Sequence, residues 1–175
     1  AGMTVSISDG ATMTVAANRV DGSDGPTLQQ VGDSGTGAVA VKIGDADKAV
    51  NMTTISSSGA ASTTFTVFET IDNFTGTLAS TTGVAAGATL NLTAAKATGK
   101  TITGAGSGSV NVTALDQTLD ADVSAITAAT GSGATLKGTY LTSGSGDFIG
   151  NFGTAGMTVN ISGGAKMTDG PRWVL

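Results

Sequence analysis

The sequence predicts an all-β chain, read first as a parallel β-solenoid of short coils with minor helix, and alternatively as an antiparallel β-sandwich. Three observations point there. Apolar residues recur in pairs split by one polar or small residue, which is the strand period. Those pairs return at 20 to 26 residue steps, the spacing of a solenoid coil carrying two short strands. Gly, Ala, Ser and Thr fill 99 of 175 positions, an alphabet of tight corners and stackable small side chains.

Along the chain the pairs are Val5/Ile7, Val39/Val41, Phe65/Val67, Leu90/Leu92, Val110/Val112 and Val159/Ile161, with Leu136 as a weaker member. From Phe65 onward the steps are 25, 20, 26 and 23 residues. Local wording agrees, as in GATLNLTA at 87–94, GSVNVTA at 108–114 and GATLKGT at 133–139. Ile102, Ile126 and Ile149 fall midway between pairs and predict a second strand per coil. Two Pro leave the ladders unbroken. The stretches 94–98, closed by Gly99, and 115–127 predict short helical turns. Regions 18–37 and 142–156, rich in Gly, Ser and Asp, predict long loops. Irregular spacing in the first 60 residues keeps the sandwich in view.

A longer repeat overlies this rhythm. AGMTVSISDGATMT at 1–14 returns as AGMTVNISGGAKMT at 155–168, identical at 11 of 14 positions. The chain therefore divides into a β-repeat domain, 1–154, and the start of a related repeat or a terminal assembly strand, 155–175. AGMTVSIS lacks the charged and apolar blocks of a signal peptide, so the chain reads as a mature or excised segment.

Composition narrows the chemistry. Without Cys or His no thiolate or imidazole can ligate a metal or activate a nucleophile. The net charge of -5 and a sequence pI near 4.3 argue against nucleic acid, and no apolar run is long enough to span a membrane as a helix. One Glu and no His make a poor acid–base inventory, so no enzyme activity is expected.

What remains is oxygen chemistry. Asp21 and Asp24, Asp45 and Asp47, and Asp120 and Asp122 sit two or three residues apart, the first two pairs beside glycines, and calcium is the ion that such oxygens suit. The same residues also read as turn formers that hydrogen-bond their own backbone. Neither the EF-hand pattern nor the Gly-rich nonapeptide of calcium β-rolls is present; Gly144 to Gly153 holds only a degenerate echo. Thr-x-Thr words at Thr12/Thr14, Thr64/Thr66, Thr75/Thr77 and Thr101/Thr103 raise an ice-binding face, but share no regular period and read as ordinary strand-face threonines. Asn91 and Asn111 lie in Asn-x-Thr triplets and predict an outward Asn ladder. Phe65, Phe68 and Phe74 predict a local core.

The run LNLTAAKATGKTITGAGSGSVNVTALDQTLDADVSAIT, 90–127, resembles the repeat units of very large secreted bacterial surface proteins, including S-layer proteins and giant repeat adhesins. The resemblance implies an exported, acidic, β-rich protein at the bacterial cell surface, often calcium-dependent in folding or assembly. With the residues above it leads to one expectation and an alternative. The first is a structural module that assembles with copies of itself. The second is a binding module of an adhesin, reaching cell-surface glycan through the loops at 18–37 and 142–156.

Overall fold

The computed structural model describes residues 4–20, 27–31, 36–55, 57–58, 62–115, 120–127, 136–140, 144–147, 158–161 and 165–168. The fold is all-β with one short helix. In chain order the strands are β1 (Thr4–Ser8), β2 (Thr12–Ala16), β3 (Thr27–Val31), β4 (Ala38–Ile43), β5 (Ser57–Ser58), β6 (Ser62–Val67), β7 (Ile71–Phe74) and β8 (Thr81–Val84). After β9 (Thr89–Thr93) comes the helix α1 (Ala94–Ala97). There follow β10 (Thr101–Gly104), β11 (Ser109–Leu115), β12 (Ile126–Thr127), β13 (Leu136–Tyr140), β14 (Gly144–Asp147), β15 (Thr158–Ile161) and β16 (Ala165–Thr168).

Pairing follows one rule: neighbours in each sheet are strands two apart in sequence, and all these pairs are parallel. The orders are β1-β3-β5, β2-β4-β6-β8-β10-β12, β7-β9-β11-β13-β15 and β14-β16. Odd and even strands thus keep to separate ladders. The antiparallel alternative has no counterpart among the described strands. Parallel neighbours need a crossover, and here the crossover is the strand of the other ladder plus two corners.

Alternation sends Val39, Val41 and Ile43 of β4, Leu90 and Leu92 of β9, and Val110 and Val112 of β11 into one apolar cluster shared by odd and even strands. Ile71 stacks on Leu90 and Leu90 on Val110, while Phe74, Leu92 and Val112 make a second column. On the even side Ile43, Val67 and Val84 line up, as do Ile102 and Ile126. All ten are buried. Each such aliphatic side chain taken from water contributes about 1.5–3 kcal/mol, which small corner residues cannot supply.

Several sequence expectations need correcting. Phe65/Val67 belongs to the even ladder with Val39/Val41, not to the Leu90 and Val110 series; the odd strand before Leu90 is β7, whose inward residues Ile71 and Phe74 are three apart. A register shift between them absorbs the extra residue. The 18–37 loop contains β3, and 142–156 contains β14. No helix occurs among the described residues of 115–127: β11 continues to Leu115, and Ile126 opens β12. There Ala114, at φ 56, breaks the alternation so that both Val112 and Leu115 turn inward across an irregularity in register. Ile149 lies outside the described residues.

The helical turn at 94–97 forms as expected. Its Ala94 and Ala97 are buried, the Thr98 N–H and hydroxyl both donate to the Ala94 carbonyl, at 2.9 and 2.8 Å, and Gly99, at φ 69, ends it. Lys96 within it and Lys100 just after it reach back 20 and 22 residues in sequence, their Nζ atoms donating to the carbonyls of Gly76 and Leu78 at 2.8 and 3.1 Å. Gly76 sits in a close approach, since a Cβ there would run into the carbonyl oxygen of Val50. No helix among the described residues is long and apolar enough to cross a membrane.

Candidate functional site

The carboxylates singled out by spacing fall into three situations. Asp21 and Asp24 lie outside the described residues. Asp45 and Asp47 share a 3-10 turn that follows β4. Asp47 is 5% exposed, and both its oxygens are held by backbone donors: Oδ2 accepts from Gly44 N–H at 2.9 Å and Oδ1 from Asn18 N–H at 3.0 Å. Asn18 belongs to the 3-10 turn Ala17–Arg19 after β2, so this carboxylate ties together the corners of consecutive even strands. Asp45 faces solvent, with Lys48 Nζ at 3.5 Å from its Oδ2.

Asp120 and Asp122 are both exposed. Asp122 Oδ1 accepts from the hydroxyl of Ser124 at 2.6 Å and from its N–H at 3.1 Å. The hydroxyl first, then the N–H, hold the carboxyl below its ordinary value against a small opposing effect of burial. Asp47 and Asp122 therefore act as turn carboxylates. Among the described residues no group of three or more Asp or Glu comes together to hold a metal ion.

Asn91 and Asn111 form the expected ladder. They pair in register across β9 and β11, Asn111 Nδ2 donating to Asn91 Oδ1 at 2.9 Å and Asn91 Nδ2 donating to the Ile71 carbonyl at 3.0 Å. Thr113 extends the same face, its hydroxyl donating to the Leu92 carbonyl at 3.2 Å. Of the Phe trio only Phe74 is fully buried. Phe65 is half-buried, and Phe68 is exposed with Lys42 Nζ 5.7 Å from its ring centroid.

The threonine words behave differently from what their spacing suggests. Three of the four lie on the even ladder, where register rather than sequence period sets neighbours. Thr14, Ala40 and Thr64 align, and so do Lys42, Thr66, Gly83, Thr103 and Thr127, with Thr81 beside Thr101. Unequal connections absorb the unequal steps. The product is an outward face of hydroxyl and methyl groups on which Lys42 is the one charged side chain among these positions. Thr75 and Thr77 lie off this ladder.

The two copies of the long repeat supply strands at sheet margins. Residues 4–16 give β1 and β2, and residues 158–168 give β15 and β16. β1, β2, β15 and β16 each close one end of their sheet. Comparison with protein-family models, curated proteins and solved structures finds no match to this chain.

Proposed function

We propose that the chain is a parallel β-solenoid module of a bacterial surface structure, an S-layer, filament or sheath, that assembles with copies of itself through its β scaffold. The pairing rule carries this reading. When each strand pairs in parallel with the strands two before and two after it, each coil depends only on its neighbours, and the body lengthens without needing a thicker core. Small residues suffice for such a body, and its ladders end in strands with unpaired backbone groups that a further strand can use. The resemblance of 90–127 to repeats of secreted surface proteins supports the bacterial surface as the setting. Small-angle scattering and negative-stain images of the purified chain test it: rod-shaped particles that join into ordered filaments or sheets on concentration are expected, and a compact monomer at every concentration would overturn it.

The threonine face supports a second reading, a surface that orders water or binds ice. Parallel strands repeat about every 4.8 Å across such a face and residues i and i+2 about every 6.6 Å along it, so rows of hydroxyl and methyl groups present a regular lattice. Thermal hysteresis that Thr64→Lys and Thr103→Lys both abolish is expected on this reading, and a wild-type chain without hysteresis sinks it.

A further inference from the structure

The fourteen-residue repeat is placed where it can join one molecule to another. Equivalent segments form equivalent strand pairs: Val5 and Ile7 lie in β1, Val159 and Ile161 in β15, and Met13 and Met167 in β2 and β16. β1 and β15 close odd-strand sheets, while β2 and β16 close even-strand sheets. A second copy following β15 with its own β1, and β16 with its own β2, would therefore continue both ladders.

The copies are alike in sequence but not in surroundings. Ile7 is 3% exposed, whereas Ile161, its counterpart, is 50% exposed and is one of two large hydrophobic side chains so exposed among the described residues. The three differences between the copies are Ser6 against Asn160, Asp9 against Gly163 and Thr12 against Lys166. The first copy thus carries one negative charge and the last one positive charge. Two first copies brought together repel and a first on a last attract, which favours joining unlike ends.

We propose that these strand pairs are the two halves of a head-to-tail joint between copies of the chain: the β1–β2 pair of one copy stacks in parallel on the β15–β16 pair of the next, Val5 over Val159, Ser6 over Asn160 and Ile7 over Ile161. The proposal rests on the self-assembly reading above and names its partner and contact. Parallel stacking puts like aliphatic groups on one another, covers Ile161, and pairs the outer backbone groups of β15 with those of β1. Because the two surfaces differ, each joined pair keeps one free first copy and one free last copy, and repeated stacking along the same ladders gives a filament.

The chain has no Cys, so introduced thiols report the contact without background. Paired Cα atoms on adjacent strands lie about 4.8 Å apart, inside the span of about 4.4–6.8 Å that a disulfide bridges. Ser6→Cys mixed with Asn160→Cys under mild oxidation is expected to give a disulfide-linked dimer, and the double variant a series of longer multimers on a non-reducing gel. Thr103→Cys, exposed on a sheet face, sets the collisional level. Ile161→Lys added to Asn160→Cys is expected to lower the yield about tenfold or more with an unchanged far-ultraviolet circular dichroism spectrum.

Ser6→Cys alone dimerising as readily as the mixture would mean that like ends meet and would overturn the joint. Assembly without a Ser6–Asn160 crosslink above the Thr103→Cys level would also overturn it, leaving self-assembly through other faces standing. A chain that neither assembles nor crosslinks would remove both.

Discussion

Replacing Asp47 tests the idea that acidic residues in this chain hold corners together. Asp47→Ala leaves two backbone donors without their carboxylate, Gly44 N–H in a buried bond and Asn18 N–H in a half-buried one. A hydrogen bond to a charged group contributes about 1.5–3 kcal/mol, and the half-buried donor regains part of this from water, so a loss of about 3 kcal/mol is expected. For a chain of this size that is a fall in melting temperature of about 6–12 °C. Asp47→Asn keeps one acceptor oxygen and should lose about half as much. Thermal melts followed by circular dichroism measure the total, and amide hydrogen exchange at Asn18 and Gly44 places it. The two corners should open together in Asp47→Ala while amides of β9 and β11 keep their protection, since stability in a ladder is local. A melting temperature within about 2 °C of wild type would refute the reasoning.

Thr82 is 1% exposed and its Oγ1 has no hydrogen-bond partner among the described residues, so Thr82→Val should stabilise the chain by about 1–3 kcal/mol in urea unfolding; a loss would show that the hydroxyl is satisfied. In the Asn ladder, Asn91→Ala strips a partner from both Asn111 and the Ile71 carbonyl and should cost about 1–3 kcal/mol, whereas Asn111→Ala frees one acceptor and should cost about 1; equal costs would deny the ladder its direction. The Asp122 carboxyl is lowered chiefly by the Ser124 hydroxyl, so the folded chain binds that proton less tightly than the unfolded chain. Its stabilisation is fully present above the ordinary carboxylate value and is lost as pH falls through the lowered one. Ser124→Ala should therefore be less stable than wild type near neutral pH and match it in acid, and a gap that persists in acid urea titrations would refute this.

What was legible in the sequence follows from where one residue decides its own environment. Strand alternation is local, so Val39/Val41, Leu90/Leu92 and Val110/Val112 were identifiable as inward pairs. The turn at 94–97 carried its own stop in Gly99. The Asn91–Asn111 ladder was legible because 20 residues separate both these asparagines and the strands that carry them. The odd and even ladders are harder to read, because a step of 20 to 26 residues cannot say to which of the two alternating ladders a given pair belongs. The 25-residue step thus aligns Phe65 with Leu90, a place that β7 holds.

The candidate site shows the same division. Spacing marks Asp47 and Asp122 as members of close carboxylate pairs, a pattern common to cation ligands and turn formers. Only the fold supplies the Asn18 and Gly44 donors that occupy Asp47, one of them 29 residues away. The threonine words share no sequence period, yet three share a face, because connections of different length still return strands to register.

Residue order alone establishes the all-β class, the inward pairs Val39/Val41, Leu90/Leu92 and Val110/Val112, the small-residue corners and the kinship of residues 1–14 with 155–168. These depend on the two-residue period and on composition, which need no partner strand. Tertiary structure decided which strands neighbour one another, that they run parallel, and that the repeated segments lie at sheet margins. Those are properties of register between distant segments, set by how whole columns of side chains pack, and a local pattern carries no record of them.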